Sequence, residues 1–122
     1  MIGYTTLGTD NLAKSAAFYE PLMALMGANR IMEDERLVLW GRNNKAPMFG
    51  IIKPFDGKPA SVGNGTMIAL MCDSTEQVDE LHAKSLSLGA IDEGEVGPRG
   101  DSFYGGYFRD LDGNKLVFFY MG

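Results

Sequence analysis

The chain has 122 residues, 45% hydrophobic and 22% charged, a composition that suits one folded domain and excludes a disordered segment. Its net charge of -5 offers no basic footprint for a nucleic-acid backbone or an anionic membrane, so neither partner is expected. The opening "MIGYTTLGTD" has no basic and apolar leader pattern, no run is long enough to span a bilayer, and Cys72 is the only cysteine; a cytoplasmic protein without disulfides is the expectation.

In chain order, "MIGYTTLG" reads as a strand, and Asp10 is placed to cap the helix that follows, its carboxylate accepting from free backbone amides. Leu12, Ala16, Tyr19, Met23 and Met26 recur at helical spacing and make one apolar stripe, which Gly27 ends. Pro21 lies inside that helix, deletes a backbone donor, and predicts a kink or a split. "NRIMEDERLVLWG" and "APMFGIIK" supply three strand runs, with turns at Glu33 to Arg36 and at Asn43-Asn44. "KPFDGKPASVGNG" is then a Pro- and Gly-rich connection.

The second half repeats the order. "TMIALMC" is an apolar strand in which Cys72 is a small core thiol, and Ser74 with Gln77 forms a capping-box signal. Val78, Leu81, Ser85 and Leu88 mark the inner stripe of the next helix, Gly89 ends it, and His82 falls off that stripe as a solvated or partly packed side chain. Strand runs follow in "AIDEGEV", "SFYGGYFRD" and "KLVFFYM", the last apolar on both faces after an Asp112-Gly113-Asn114 turn. The glycines of "GNG" and "YGG" lack phosphate-loop spacing and read as turns or bulges. The expectation is a single α+β domain of two tandem βαβββ modules, 1–53 and 65–122, joined by 54–64, whose curved, partly open mixed sheet leaves a concave cleft.

"IGYTTLGTDNLAKSAAFYEPLMALMGA", "GTMIALMCDSTEQVDELHAKSLSLGA" and "YFRDLDGNKLVFF" together resemble the vicinal oxygen chelate superfamily, the glyoxalase/bleomycin-resistance/extradiol-dioxygenase group. The resemblance covers nearly the whole chain and is nearest to small bacterial glyoxalase-like members. It implies a divalent cation held by imidazole and carboxylate groups, which polarises two neighbouring substrate oxygens. The matching positions here hold Tyr4, Met67 and Val117 in place of the family's first-strand His, second-module His or Glu, and last-strand Glu. A phenol is a weak ligand, a thioether disfavours hard cations and valine offers nothing, so no metal, cofactor or catalytic residue is assigned.

The same resemblance places Tyr4, Trp40, Met67, Tyr104 and Val117 on strands lining the concave face, with Arg99 in the "GPRG" loop at its mouth. An apolar, aromatic-lined hollow beside a cation would suit a planar or amphipathic small molecule; side chains filling the cleft would leave only core. The leading expectation is a metal-free binding protein of the glyoxalase/bleomycin-resistance type that binds or sequesters a small aromatic or amphipathic ligand. One alternative is a metal-dependent lyase, isomerase or dioxygenase; another is a structural or regulatory subunit. A homodimer is expected.

Overall fold

The computed structural model describes all 122 residues as two units, Met1–Val62 and Gly63–Gly122, each with the order β-α-β-β-β. The first contains β1 (Tyr4–Gly8), α1 (Leu12–Leu25), β2 (Asn29–Glu33), β3 (Leu37–Gly41) and β4 (Met48–Ile52). Its sheet order is β1-β4-β3-β2, with β1 parallel to β4 and the other neighbours antiparallel. A parallel pair requires a long crossover, which α1 and the intervening hairpin supply.

Helix α1 starts one residue later than the sequence suggests. Asn11 is its cap, with Oδ1 accepting from the Lys14 amide at 3.0 Å, whereas Asp10 Oδ1 accepts from the Ala60 amide at 2.6 Å and so anchors the segment after β4. The helix runs unbroken through Pro21, so the expected split does not occur. Phe18, Tyr19, Leu22 and Met23 surround that proline in sequence and are all buried, and packing of this kind outweighs one lost backbone bond. Gly27 ends the helix as expected, in the left-handed region at φ 74°.

The first unit's core lies between α1 and one face of the sheet. Tyr19 meets Phe49 at 5.0 Å and Trp40 at 6.1 Å between ring centroids, with Phe18 edge-on to Tyr19 at 4.9 Å. Each fully buried aromatic contributes roughly 1.5–3 kcal/mol through burial, and each ring pair about 0.5–1.5 kcal/mol more.

The second unit contains β5 (Ile68–Met71), α2 (Thr75–Ser87), β6 (Ile91–Arg99), β7 (Phe103–Arg109) and β8 (Lys115–Met121), in the sheet order β5-β8-β7-β6. Ser74 accepts from the Gln77 amide at 3.1 Å while Gln77 Oε1 accepts from the Asp73 amide at 2.7 Å, a capping box closed one residue early. Val78, Leu81 and Ser85 of α2 are buried, as are Phe108, Leu116 and Phe118 of the sheet, with the two phenylalanine rings stacked at 5.2 Å. The β7–β8 hairpin closes on Gly113 at φ 89°, and Asp110 Oδ1 accepts from the amides of Asp112 and Asn114.

Two expectations about this unit are corrected. Gly105 and Gly106 form no turn; they lie in the middle of β7 in regular register with Phe119 and Phe118 of β8. A side chain at Gly106 would run into His82 of α2, 2.8 Å away, and that space admits the imidazole. His82 is therefore buried, only 5% exposed, not solvated. No helix is long and apolar enough to cross a membrane.

Candidate functional site

Strand alternation assigns each predicted site residue to a face of its own sheet. In the first unit, Tyr4 pairs in register with Met48, and the next β4 residue, Phe49, packs on Tyr19 of α1. Tyr4 therefore projects from the face away from the helix, and it is 58% exposed. Trp40 takes the opposite face: its ring stacks beside Phe49, its Nε1 donates to Glu20 Oε1 at 3.3 Å, and it is 1% exposed. Trp40 thus belongs to the core and shares no lining with Tyr4. The run "LVLWG" is apolar at every position before its glycine, so no alternation in the sequence reveals which residues face the helix.

In the second unit, Tyr104 lies on the helix side, where its hydroxyl donates to Asp79 Oδ1 of α2 at 2.6 Å. That hydrogen bond and the negative charge of Asp79 raise the phenol's pKa. Val117 lies on the other face, opposite Tyr107 and beside Ala69 of β5. It is fully buried, with Cγ2 3.2 Å from where a Gly105 side chain would begin, so it forms the floor of that face and is not open to a ligand. Met67, two residues before Ala69, is exposed. Phe103 and Phe119 stack on the same face at 5.2 Å, and Met71 and Met121 alternate into it.

Arg99 ends β6 instead of standing free in a loop. Its guanidinium folds back on its own strand, with Nη2 donating to the Glu95 carbonyl at 2.7 Å and Nη1 to the Gly97 carbonyl at 2.9 Å. It lies over the Tyr107 ring, 5.5 Å from the centroid. Gly94 permits this approach, because a side chain there would meet Tyr107 at 3.2 Å and the guanidinium at 3.4 Å. Of the six predicted site residues, Arg99 and Val117 share the helix-free face of the second sheet, Met67 stands exposed just before β5 begins, Tyr4 occupies the helix-free face of the first sheet, and Trp40 and Tyr104 face helices.

The residues at the positions where metal ligands are implied do not fit a divalent cation. Tyr4 offers a phenol, Met67 a thioether and Val117 a hydrocarbon, and nowhere do three or more His, Cys, Asp or Glu side chains come together. The sole histidine is already committed: His82 Nε2 lies 3.0 Å from the Tyr107 carbonyl and 3.3 Å from Asp92 Oδ1, two acceptors that require the proton on Nε2. Cys72 is buried, and desolvation with the neighbouring Asp73 charge pushes its thiol up to about 11, the opposite of an activated nucleophile.

An open groove of about 560 Å3 lies in the first unit between the start of α1, at Asn11, Leu12 and Ala16, and the β2–β3 hairpin at Arg30, Glu33 and Val38. None of the predicted site residues lines it. Several of its charges are engaged: Arg30 pairs with Glu20 and Glu33, each at 2.6 Å, and Asp34 accepts from the Arg36 and Leu37 amides.

Sequence reasoning missed Tyr107 and Lys115, which with Arg99 make the polar end of the second sheet's helix-free face. The available signal was weak: both belong to the runs "SFYGGYFRD" and "GNKLVFFYM", but only the β7–β8 register shows that they share a face.

Comparisons with known proteins agree with this fold. A family model described as Glyoxalase/Bleomycin resistance protein/Dioxygenase superfamily matches residues 1–118. A glyoxalase/bleomycin resistance protein from Albidiferax ferrireducens T118 is 30% identical with a TM-score of 0.91, over 100% of this chain and 99% of that one. A hypothetical protein from S. aureus is 25% identical with a TM-score of 0.76, over 98% and 92% of the two chains. Lactoylglutathione lyase from Agrobacterium tumefaciens, 23% identical over 98% and 92% with a TM-score of 0.70, shares the fold. No curated protein matches the chain significantly.

Proposed function

Because the chain belongs to the glyoxalase/bleomycin resistance protein/dioxygenase superfamily, we propose that it is a binding member of that group which takes up a small aromatic or amphipathic molecule without a metal. The observation that carries this reading is the chemistry of Tyr4, Met67 and Val117: none supplies the imidazole or carboxylate donors that a chelating enzyme of the family uses. Fold alone does not assign an activity, so the reading follows these side chains and not the family's name.

The helix-free face of the second sheet supports the binding role. Met67 and Met71, 39% and 63% exposed, are flexible apolar groups that adapt to varied ligand shapes, while the half-buried Phe103 and Tyr107 offer rigid ring surface, Phe103 backed by the buried Phe119. The test begins with calorimetric titration of chelator-stripped protein with Mn, Ni, Fe(II) and Zn. No heat of stoichiometric binding is expected, whereas aromatic compounds should raise Tm in the continued presence of chelator, because a ligand specific to the folded state stabilises it by mass action. A stoichiometric metal site of micromolar or tighter affinity would overturn the reading and return the metal-dependent lyase or dioxygenase to first place.

A further inference from the structure

Resting on that reading, we propose that Lys115 and Arg99, each set against the ring of Tyr107, make this part of the face an anion subsite, so that the ligand is an aromatic or alkyl molecule carrying an anionic group. The Lys115 ammonium and the Arg99 guanidinium each lie 5.5 Å from the Tyr107 ring centroid. Arg99 reaches the ring from β6 and Lys115 from β8, the two strands that flank β7, and the ring's electron-rich faces hold both cations without neutralising them.

No carboxylate forms an ion pair with either cation. Arg109, directly opposite Lys115 in the β7–β8 register, adds a third cation, but its Nε is paired with Glu93 at 2.9 Å and its Nη1 donates to the Gly113 carbonyl. Asp92 is turned to His82, and Glu95 meets Arg99 through its backbone carbonyl. Those carbonyls orient Arg99 without neutralising it, and Lys115 Nζ makes no hydrogen bond or ion pair at all. In a protein of net charge -5, two unpaired cations beside a half-buried aromatic ring mark where an anion gains most.

The geometry of the face then sets the remainder of the ligand. Val117 lies opposite Tyr107, and the stacked Phe103 and Phe119 rings continue the apolar surface away from the cations. An anionic group beside Lys115 or Arg99 therefore directs an apolar body along β7 and β8 towards Met71 and Met121.

Anilinonaphthalene sulfonate is a suitable probe, with uncharged N-phenylnaphthylamine as its neutral counterpart. The sulfonate is expected to bind at least about tenfold more tightly than the neutral compound. Lys115→Met, which keeps the apolar stem, should remove most of that advantage and leave the neutral probe unaffected, whereas Lys115→Arg should retain it. Wild-type protein gives a test independent of any variant. Raising salt from about 0.1 to about 1 M shortens the Debye length from ~10 to ~3 Å and should weaken the sulfonate alone. Equal binding of both probes, with no effect of Lys115→Met or of salt, would overturn the anion subsite while leaving the binding face intact. Failure of both probes to bind would overturn the subsite together with the reading on which it rests.

Discussion

The two sheets have the same strand order and carry different chemistry on their helix-free faces. In the first, Gly41 and Gly50 keep the strands closely covered: Met48 lies where a side chain at Gly41 would begin, and Leu39 lies over Gly50. In the second, the corresponding face carries Phe103, Phe119, Tyr107 and Val117, with Met71 and Met121 beside the phenylalanines and the Arg99 and Lys115 cations against Tyr107. Repetition of a module thus keeps strand order and pairing sense, while each face is free to change its side chains. The helix sides differ as well: the first holds a continuous aromatic cluster, the second a histidine seated on a glycine.

The largest expected effect tests the aromatic side of that comparison. Trp40→Ala removes a side chain that is 1% exposed and should cost about 3–5 kcal/mol, read as a lowered denaturation midpoint at unchanged slope. Protein that remains folded should bind aromatic probes as the wild type does, because Trp40 faces α1. Weaker binding at full stability would place Trp40 in the ligand site instead.

Gly106→Val should rank next, at about 1–3 kcal/mol. Its new Cβ would meet His82 Cδ2 at 2.8 Å and Val96 Cγ1 at 2.7 Å, which forces the imidazole off the Tyr107 carbonyl. Amide exchange should rise along α2 and β7 while the first unit keeps its protection. An unchanged exchange pattern would show that the histidine has room to move.

The order and type of the elements were readable in the sequence because capping residues, glycine stops and turn dipeptides are local signals. Faces were less readable. Trp40 and Tyr104 sit in runs with large apolar groups on both sides, so their parity depends on the partner strand and the helix. His82 lies off the stripe of its own helix, and its burial is explained by Gly106, which is distant in sequence. Arg99 is singled out by its GPRG run and Lys115 by nothing local, since their common neighbour Tyr107 follows only from the register of three strands.

A smaller effect separates the two faces of the second sheet. Tyr104→Phe removes the 2.6 Å hydrogen bond to Asp79 at an exposed site and should lower the denaturation midpoint only slightly. Sulfonate-probe affinity should be unchanged, in contrast to Lys115→Met, because Tyr104 faces α2. Any loss of affinity matching that of Lys115→Met would undo the assignment of Tyr104 to the helix side.

The smallest effect belongs to Cys72, at the end of the apolar strand where β5 leaves β8. Burial raises its thiol from an ordinary value of 9.0 to about 11, so the folded protein holds this proton more tightly than the unfolded chain. Below pH 9 both states are protonated and the group contributes no pH dependence. Between about pH 9 and 11 the unfolded chain releases the proton while the folded one keeps it, and stability falls as pH rises. Comparison of wild type with Cys72→Ala isolates this term: the wild type should lose stability more steeply across that window, with parallel curves below it. Parallel curves throughout, or rapid alkylation of the native thiol near pH 8, would show that this strand end opens to solvent and that the second sheet is less closed at β5 than its buried thiol implies.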